Sequence, residues 1–158
     1  MQVAPQAAAP PPKGYPWIAA AKANGYVPSE EEKKLAMYSH LFAAGLALLC
    51  CGTIHYPIGA LIPLAMSKVR GPFVLFHVNQ SLWFHGVNAL VIFVLLMVGG
   101  VLSIVCIGYV LLAIVPIFQL IGIIYPIIVG VSAGNGAWTE YPIAGRRVLE
   151  STNRPIFT

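Results

Sequence analysis

The chain contains no aspartate, and its five glutamates are confined to Glu30, Glu31, Glu32, Glu140 and Glu150. A Ser-His-Asp triad is therefore excluded. Charge of either sign is scarce. No Asp, Glu, Lys or Arg lies between Lys34 and Lys68, and none lies between Arg70 and Glu140. Only 9% of the residues are charged and 58% are hydrophobic, whereas a soluble domain is about 25% charged. A span needs about 20 apolar residues to cross ~30 Å of hydrocarbon, so the uncharged tracts are read as membrane-embedded. There is also no glycine-rich phosphate loop and no Cys-x-x-Cys pair. Three cysteines, Cys50, Cys51 and Cys106, make no framework; in a membrane they act as small apolar residues. Acid–base chemistry would rest on histidine alone, and no enzymatic activity is expected.

What is present divides into a tail and four apolar segments. Residues 1–28 are rich in Pro and Ala; they lack the basic start and apolar core of a secretory signal and read as a polar, partly polyproline-II tail. Ser29 followed by Glu32 has capping-box spacing and opens a first span over about 30–52. A second segment, 54–67, is short and interrupted by Pro57 and Pro63, so a tilted or partly re-entrant helix is expected. A third covers 72–98, with Pro72 at the first helical position, interfacial first turns, and a turn at Gly99–Gly100. The fourth covers 104–133, carries Pro116 and Pro126, and ends at Gly134–Asn135–Gly136. Residues 29–145 then form the transmembrane domain and 146–158 a C-terminal tail.

Four spans have a consequence that three lack. They bring the N-terminal tail, the Lys68/Arg70 loop and Arg146, Arg147 and Arg154 to one side of the membrane. The positive-inside rule makes that side, and both termini, cytoplasmic. The net charge of +4 fits attraction to anionic lipid and gives no case for nucleic acid. The fold expected is an all-α membrane protein, a four-span helical bundle. Small residues at Ala43, Ala44, Gly45 and Ala47, and at Gly122, Gly130 and Ala133, suit close helix approach. Trp17, Trp83 and Trp138 are expected as interface anchors.

One stretch, GPFVLFHVNQSLWFHGVNAL at residues 71–90, is greasy yet carries polar groups. At ~100° per residue His77, Gln80, Ser81 and Asn88 share one helix face, with His85 at its border. The simplest reading is a polar seam hydrogen-bonded to a neighbouring helix, with Ser39 and His40 as candidate partners. A solute or proton path along the seam is a second reading. Ligation of haem or a bacteriochlorophyll by His77 or His85 is a third; a bis-histidine site would draw on His40 or His55.

SEEEKKLAMYSHL, a short proline-containing segment ending in basic residues, GPFVLFHVNQSLWF and GNGAWTEYPI follow one another in a recognisable layout. It resembles a bacterial domain-of-unknown-function family of small polytopic membrane proteins. That family is similar to the membrane subunit of the chloroplast inner-envelope translocon and includes magnetosome-membrane proteins. The likeness covers about residues 29–145 and is most specific at Pro72–His77 with Gln80, and near Gly136–Pro142. It implies a helical bundle with cytoplasmic termini, and neither catalytic residues nor an activity. The chain departs from the family pattern at Val74, Leu75 and Val78, in a region where an acidic residue is common.

Together these features point to a non-enzymatic accessory or assembly subunit of a larger complex in a bacterial cytoplasmic or intracytoplasmic membrane. Its partners are then the bilayer and the subunits of that complex. The N-terminal tail is expected to dock on one of them wherever it is ordered, because a Pro/Ala-rich segment orders only against a partner. The alternatives are a translocon-like channel or transporter component, and a haem- or chlorophyll-binding subunit.

Overall fold

The capping box that opens the first long helix forms as its spacing requires. In the computed structural model, which describes residues 17–50 and 56–150, Ser29 N–H donates to Glu32 Oε2 at 2.9 Å and Glu32 N–H to Ser29 Oγ at 3.2 Å. Tyr26 Oη donates to the same carboxylate. These bonds start a helix at Glu30–Cys50, the second along the chain (α2). It follows α1 (Trp17–Ala23) and precedes α3 (Tyr56–Met66), α4 (Pro72–Leu102), α5 (Gly108–Gly134) and α6 (Ala144–Glu150). Every element among the described residues is helical.

Two helices, Pro72–Val105 (including a terminal 3₁₀ turn) and Gly108–Gly134, are long and apolar enough to cross a membrane. At ~1.5 Å per residue α3 reaches only about 16 Å, half the hydrocarbon thickness. It lies antiparallel to the first half of α2. Gly59 sits so close to Ala43 that a Cβ would come within 2.6 Å of the Ala43 Cα, and Ser67, just past the end of α3, donates to Glu31 at 3.1 Å. On the other flank of α2, Gly130 of α5 lies against His40. Ala43, Ala44, Ala47 and Ala133 are buried at these seams, whereas Gly45 has open space before it.

Four expectations change. Residues 17–23 form a helix instead of polyproline, and Ile18 is buried beside Val74 and Phe76. Residues 144–150 form a second short helix, with Val148 in the same cluster. These two helices cover the start of α4, so Phe73–Ser81 are buried and not interfacial. Fourth, α4 does not turn at Gly99–Gly100 but continues to Leu102. Helical hydrogen bonds are costly to abandon in an apolar setting, and glycine there serves close packing. A Cβ on Gly108 would lie 2.0 Å from Gly99 O. The turn is made by Ser103–Ile107, with Cys106 at φ 65°, and α5 starts at Gly108 and not at 104.

Polarity is sorted along the bundle. Lys22 pairs with Glu140, Glu30 with Lys33 at 2.7 Å, and Arg70 donates to Leu64 O and Ser67 O. These groups share one end. At the other end Val98, Val101, Ile104, Ile107 and Val110 are exposed, an apolar surface suited to lipid. The Cys50/Cys51 pair and His55 lie outside the described side chains; Cys106 is free and exposed.

Candidate functional site

The polar face of α4 is closed inside the protein. His77, Gln80, Ser81, His85 and Asn88 are all buried, as are Ser39 and His40 of α2. The third component is the segment after α5, residues 137–141, of which the sequence singled out only Trp138. Tyr141 is buried, and its ring stacks on Phe84 at 4.3 Å with the planes 5° apart.

Gln80 organises the arrangement. Its Oε1 accepts the Tyr141 backbone N–H at 3.1 Å, which fixes the orientation of the amide. Its Nε2 therefore donates, to Thr139 O at 2.9 Å and to His77 Nδ1 at 3.0 Å. A ring nitrogen that accepts carries no proton, so His77 bears its proton on Nε2. His40 Nε2 lies 3.0 Å from the same His77 Nδ1 and must donate to it. His40 Nδ1 is then the acceptor, and Tyr141 Oη, 2.8 Å away, donates to it. Burial pushes the Tyr141 hydroxyl well above the usual tyrosine range, which keeps that proton in place. The result is a directed chain, Tyr141 to His40 to His77, with Gln80 setting both tautomers. No carboxylate or ammonium takes part.

Nearer the middle of α4, Ser81 Oγ donates to Ser39 O at 3.1 Å and the His85 Nδ1–H to Ser81 O at 2.7 Å. The seam thus meets Ser39 and His40, the two partners named from sequence. Four buried polar atoms complete the picture, His85 Nε2 near the Gly122 backbone among them. His77 Nε2, beside the Ala137 carbonyl, makes no well-formed hydrogen bond, and Asn79 Oδ1 and Asn88 Nδ2 have none. Among the described residues no three His, Cys, Asp or Glu side chains are grouped to hold a metal.

The aromatic anchors separate into different roles. Trp83 is half exposed on the outside of α4. Trp138 is half-buried: it packs edge-on to Phe73 at 5.1 Å and near Phe76 at 5.3 Å, because the 137–141 segment folds back over the start of α4. The Trp17 side chain lies outside the described residues. Beside Trp83 a groove of about 810 Å³ opens between α4, α5 and α6, lined by Val87, Asn88, Phe118, Ile121, Ile143 and Arg147 among others. His77 and His85 do not line it.

In chemical terms the site is a neutral hydrogen-bonded clamp. It fastens the 137–141 segment to α2 and α4 at the charged end of the two helices that are long and apolar enough to cross a membrane. Tyr141, its hub, was missed from sequence because it lies outside the apolar segments; its signal was its place in the specific Gly136–Pro142 stretch.

No curated protein and no solved structure matches the chain. A family model does match, over residues 31–148, a range that contains the whole clamp and the groove. The chain belongs to the magnetosome magnetite crystal formation protein family.

Proposed function

We propose that this protein is a multi-pass component of the magnetosome membrane with a non-enzymatic, accessory part in magnetite crystal formation, acting through contacts with other membrane subunits. The observation that carries this reading is the family match over residues 31–148. Contact as the mode of action follows from where the chemistry lies. Every glutamate is outside the long apolar tracts and aspartate is absent, so no carboxylate within those tracts can bind iron. In the four-span arrangement, with α2 and α3 as the first hairpin and α4 and α5 as the second, the charged residues all face the cytoplasm. The opposite face then presents the apolar turn at Ser103–Ile107 and no ionised group to the lumen. Such a chain shapes the mineral through its partners rather than by coordinating iron itself.

The competing reading, a translocon-like path along the seam, requires the clamp to open. Against it, Gln80, His40 and Tyr141 are held by one another in a closed arrangement. Deletion of the gene in a magnetite-forming host tests the proposal. Crystal size or shape should change while the membrane compartments still form, and the wild-type gene should restore both. Mild solubilisation should recover the chain with a consistent set of membrane proteins. Unchanged crystals would overturn the magnetite assignment. A clean homo-oligomer whose liposome conductance disappears in His77→Ala would overturn the contact mode.

A further inference from the structure

The groove beside the clamp has a composition that the clamp does not explain. Its floor is apolar: Trp83, Val87 and Val91 follow at four-residue intervals along α4, about 12 Å of one helix face, with Phe118 and Ile121 of α5 opposite. Only two lining residues, Asn88 and Arg147, bear strongly polar side chains, and both offer donors. Asn88 is 6% exposed and its amide Nδ2 has no hydrogen-bond partner, a costly state for a buried donor. Arg147 is exposed on α6, and its guanidinium makes no hydrogen bond or ion pair among the described residues. It stands at the charged end; Asn88 and Val91 lie progressively deeper. At the rim Ile143 holds φ 69° and is 78% exposed, in a three-residue turn closed by Ala144 N–H to Pro142 O at 2.7 Å. A β-branched residue in that backbone region is strained, and here it projects an apolar side chain beside the opening.

We propose that this groove is a binding site for an anionic glycerophospholipid, with its phosphate on Arg147, an ester carbonyl accepting from Asn88 Nδ2, and an acyl chain along Val87, Val91, Phe118 and Ile121. The complementarity is specific in sign and order. The protein supplies a cation, then a neutral donor, then an apolar wall. The lipid supplies, in the same sequence from the headgroup inward, an anion, an acceptor and a hydrocarbon chain. The groove faces outward from two membrane-crossing helices, where lipid is the solvent. The proposal rests on that hairpin crossing a bilayer and is independent of the magnetite reading.

The test uses the full chain reconstituted in bilayers with equal amounts of phosphatidylglycerol and phosphatidylcholine, followed by native mass spectrometry of retained lipid. Wild type should retain phosphatidylglycerol roughly fivefold over phosphatidylcholine, the discrimination that one arginine near an anionic group gives. Arg147→Gln should bring the two to parity, and Lys68→Gln, at the charged end but not lining the groove, should leave the preference intact. Asn88→Leu should lower retention of both lipids alike, since both carry ester carbonyls. Val87→Trp, at a half-exposed position, should fill the groove and lower both without changing helicity or melting temperature. Equal retention of the two lipids by wild type would overturn the proposal, as would a Lys68→Gln loss equal to that of Arg147→Gln. Unchanged retention in Val87→Trp, or a self-dimer that Val87→Trp dissociates with no lipid released, would also overturn it.

Discussion

Replacing Gln80 by leucine separates a structural clamp from a merely polar surface. Leucine has nearly the volume of glutamine but cannot serve the two backbone groups that Gln80 satisfies, Tyr141 N–H at 3.1 Å and Thr139 O at 2.9 Å. Tyr141 is buried, and an orphaned buried backbone group costs about 1–3 kcal/mol. Residues 139–141 lie beyond the last span, so their unfolded reference is hydrated, and the discount for bonds among helices within lipid does not apply. The two losses together come to about 2–6 kcal/mol. The neighbouring residue supplies the control. Asn79 is also buried, but it donates only to Leu75 O one turn back, and its Oδ1 has no partner. Asn79→Leu removes an orphan and should change stability by less than about 1 kcal/mol. Reversible unfolding in mild detergent measures both variants. Amide exchange at Tyr141 gives the local readout, and its protection should fall at least about tenfold in Gln80→Leu. Equal effects of the two substitutions, or retained Tyr141 protection, would refute the clamp.

Two further expectations come from other parts of the bundle. Gly59→Val places a side chain where even a Cβ meets the α2 backbone at Ala43, and should destabilise by about 1–3 kcal/mol, read as a lower melting temperature; Gly45→Ala, with open space before it, should be tolerated. Burial, then the hydrogen bond and charge of Glu32, push the Tyr26 hydroxyl up to about 12. A raised acid favours the folded state while protonated, so that stability is complete below pH ~10, the unfolded value, and is lost between there and pH 12; Tyr26→Phe should flatten this alkaline decline.

Local chemistry made much of the fold legible. Ser29 and Glu32 marked a helix start because a capping hydroxyl and a carboxylate three residues on satisfy each other's amides. Pro72 and the Gly134–Gly136 turn marked helix ends for equally local reasons. The seam was legible as a set of residues on one face, and its contact with Ser39 and His40 followed from span order. What escaped were features settled by tertiary contact. α1 and α6 are seven residues each, too short for a periodic signal, and form because they cover Phe73–Ser81. Gly99–Gly100 read as a turn, yet α5 packs against that point and the helix continues. The packing of Trp138 on Phe73 and Phe76 and the burial of Tyr141 arise only because the chain folds back on itself.

The proposed role requires the charged end and the Ser103–Ile107 turn to lie on opposite faces of the membrane. Cys106 sits in that turn, free and exposed, and becomes the sole cysteine in a Cys50→Ser/Cys51→Ser background. With that variant expressed in a bacterial inner membrane, a membrane-impermeant maleimide should label Cys106 in intact spheroplasts. A cysteine at Lys68, in a background that also carries Cys106→Ser, should be labelled only after the membrane is opened. Labelling of both positions from the same side would contradict the account.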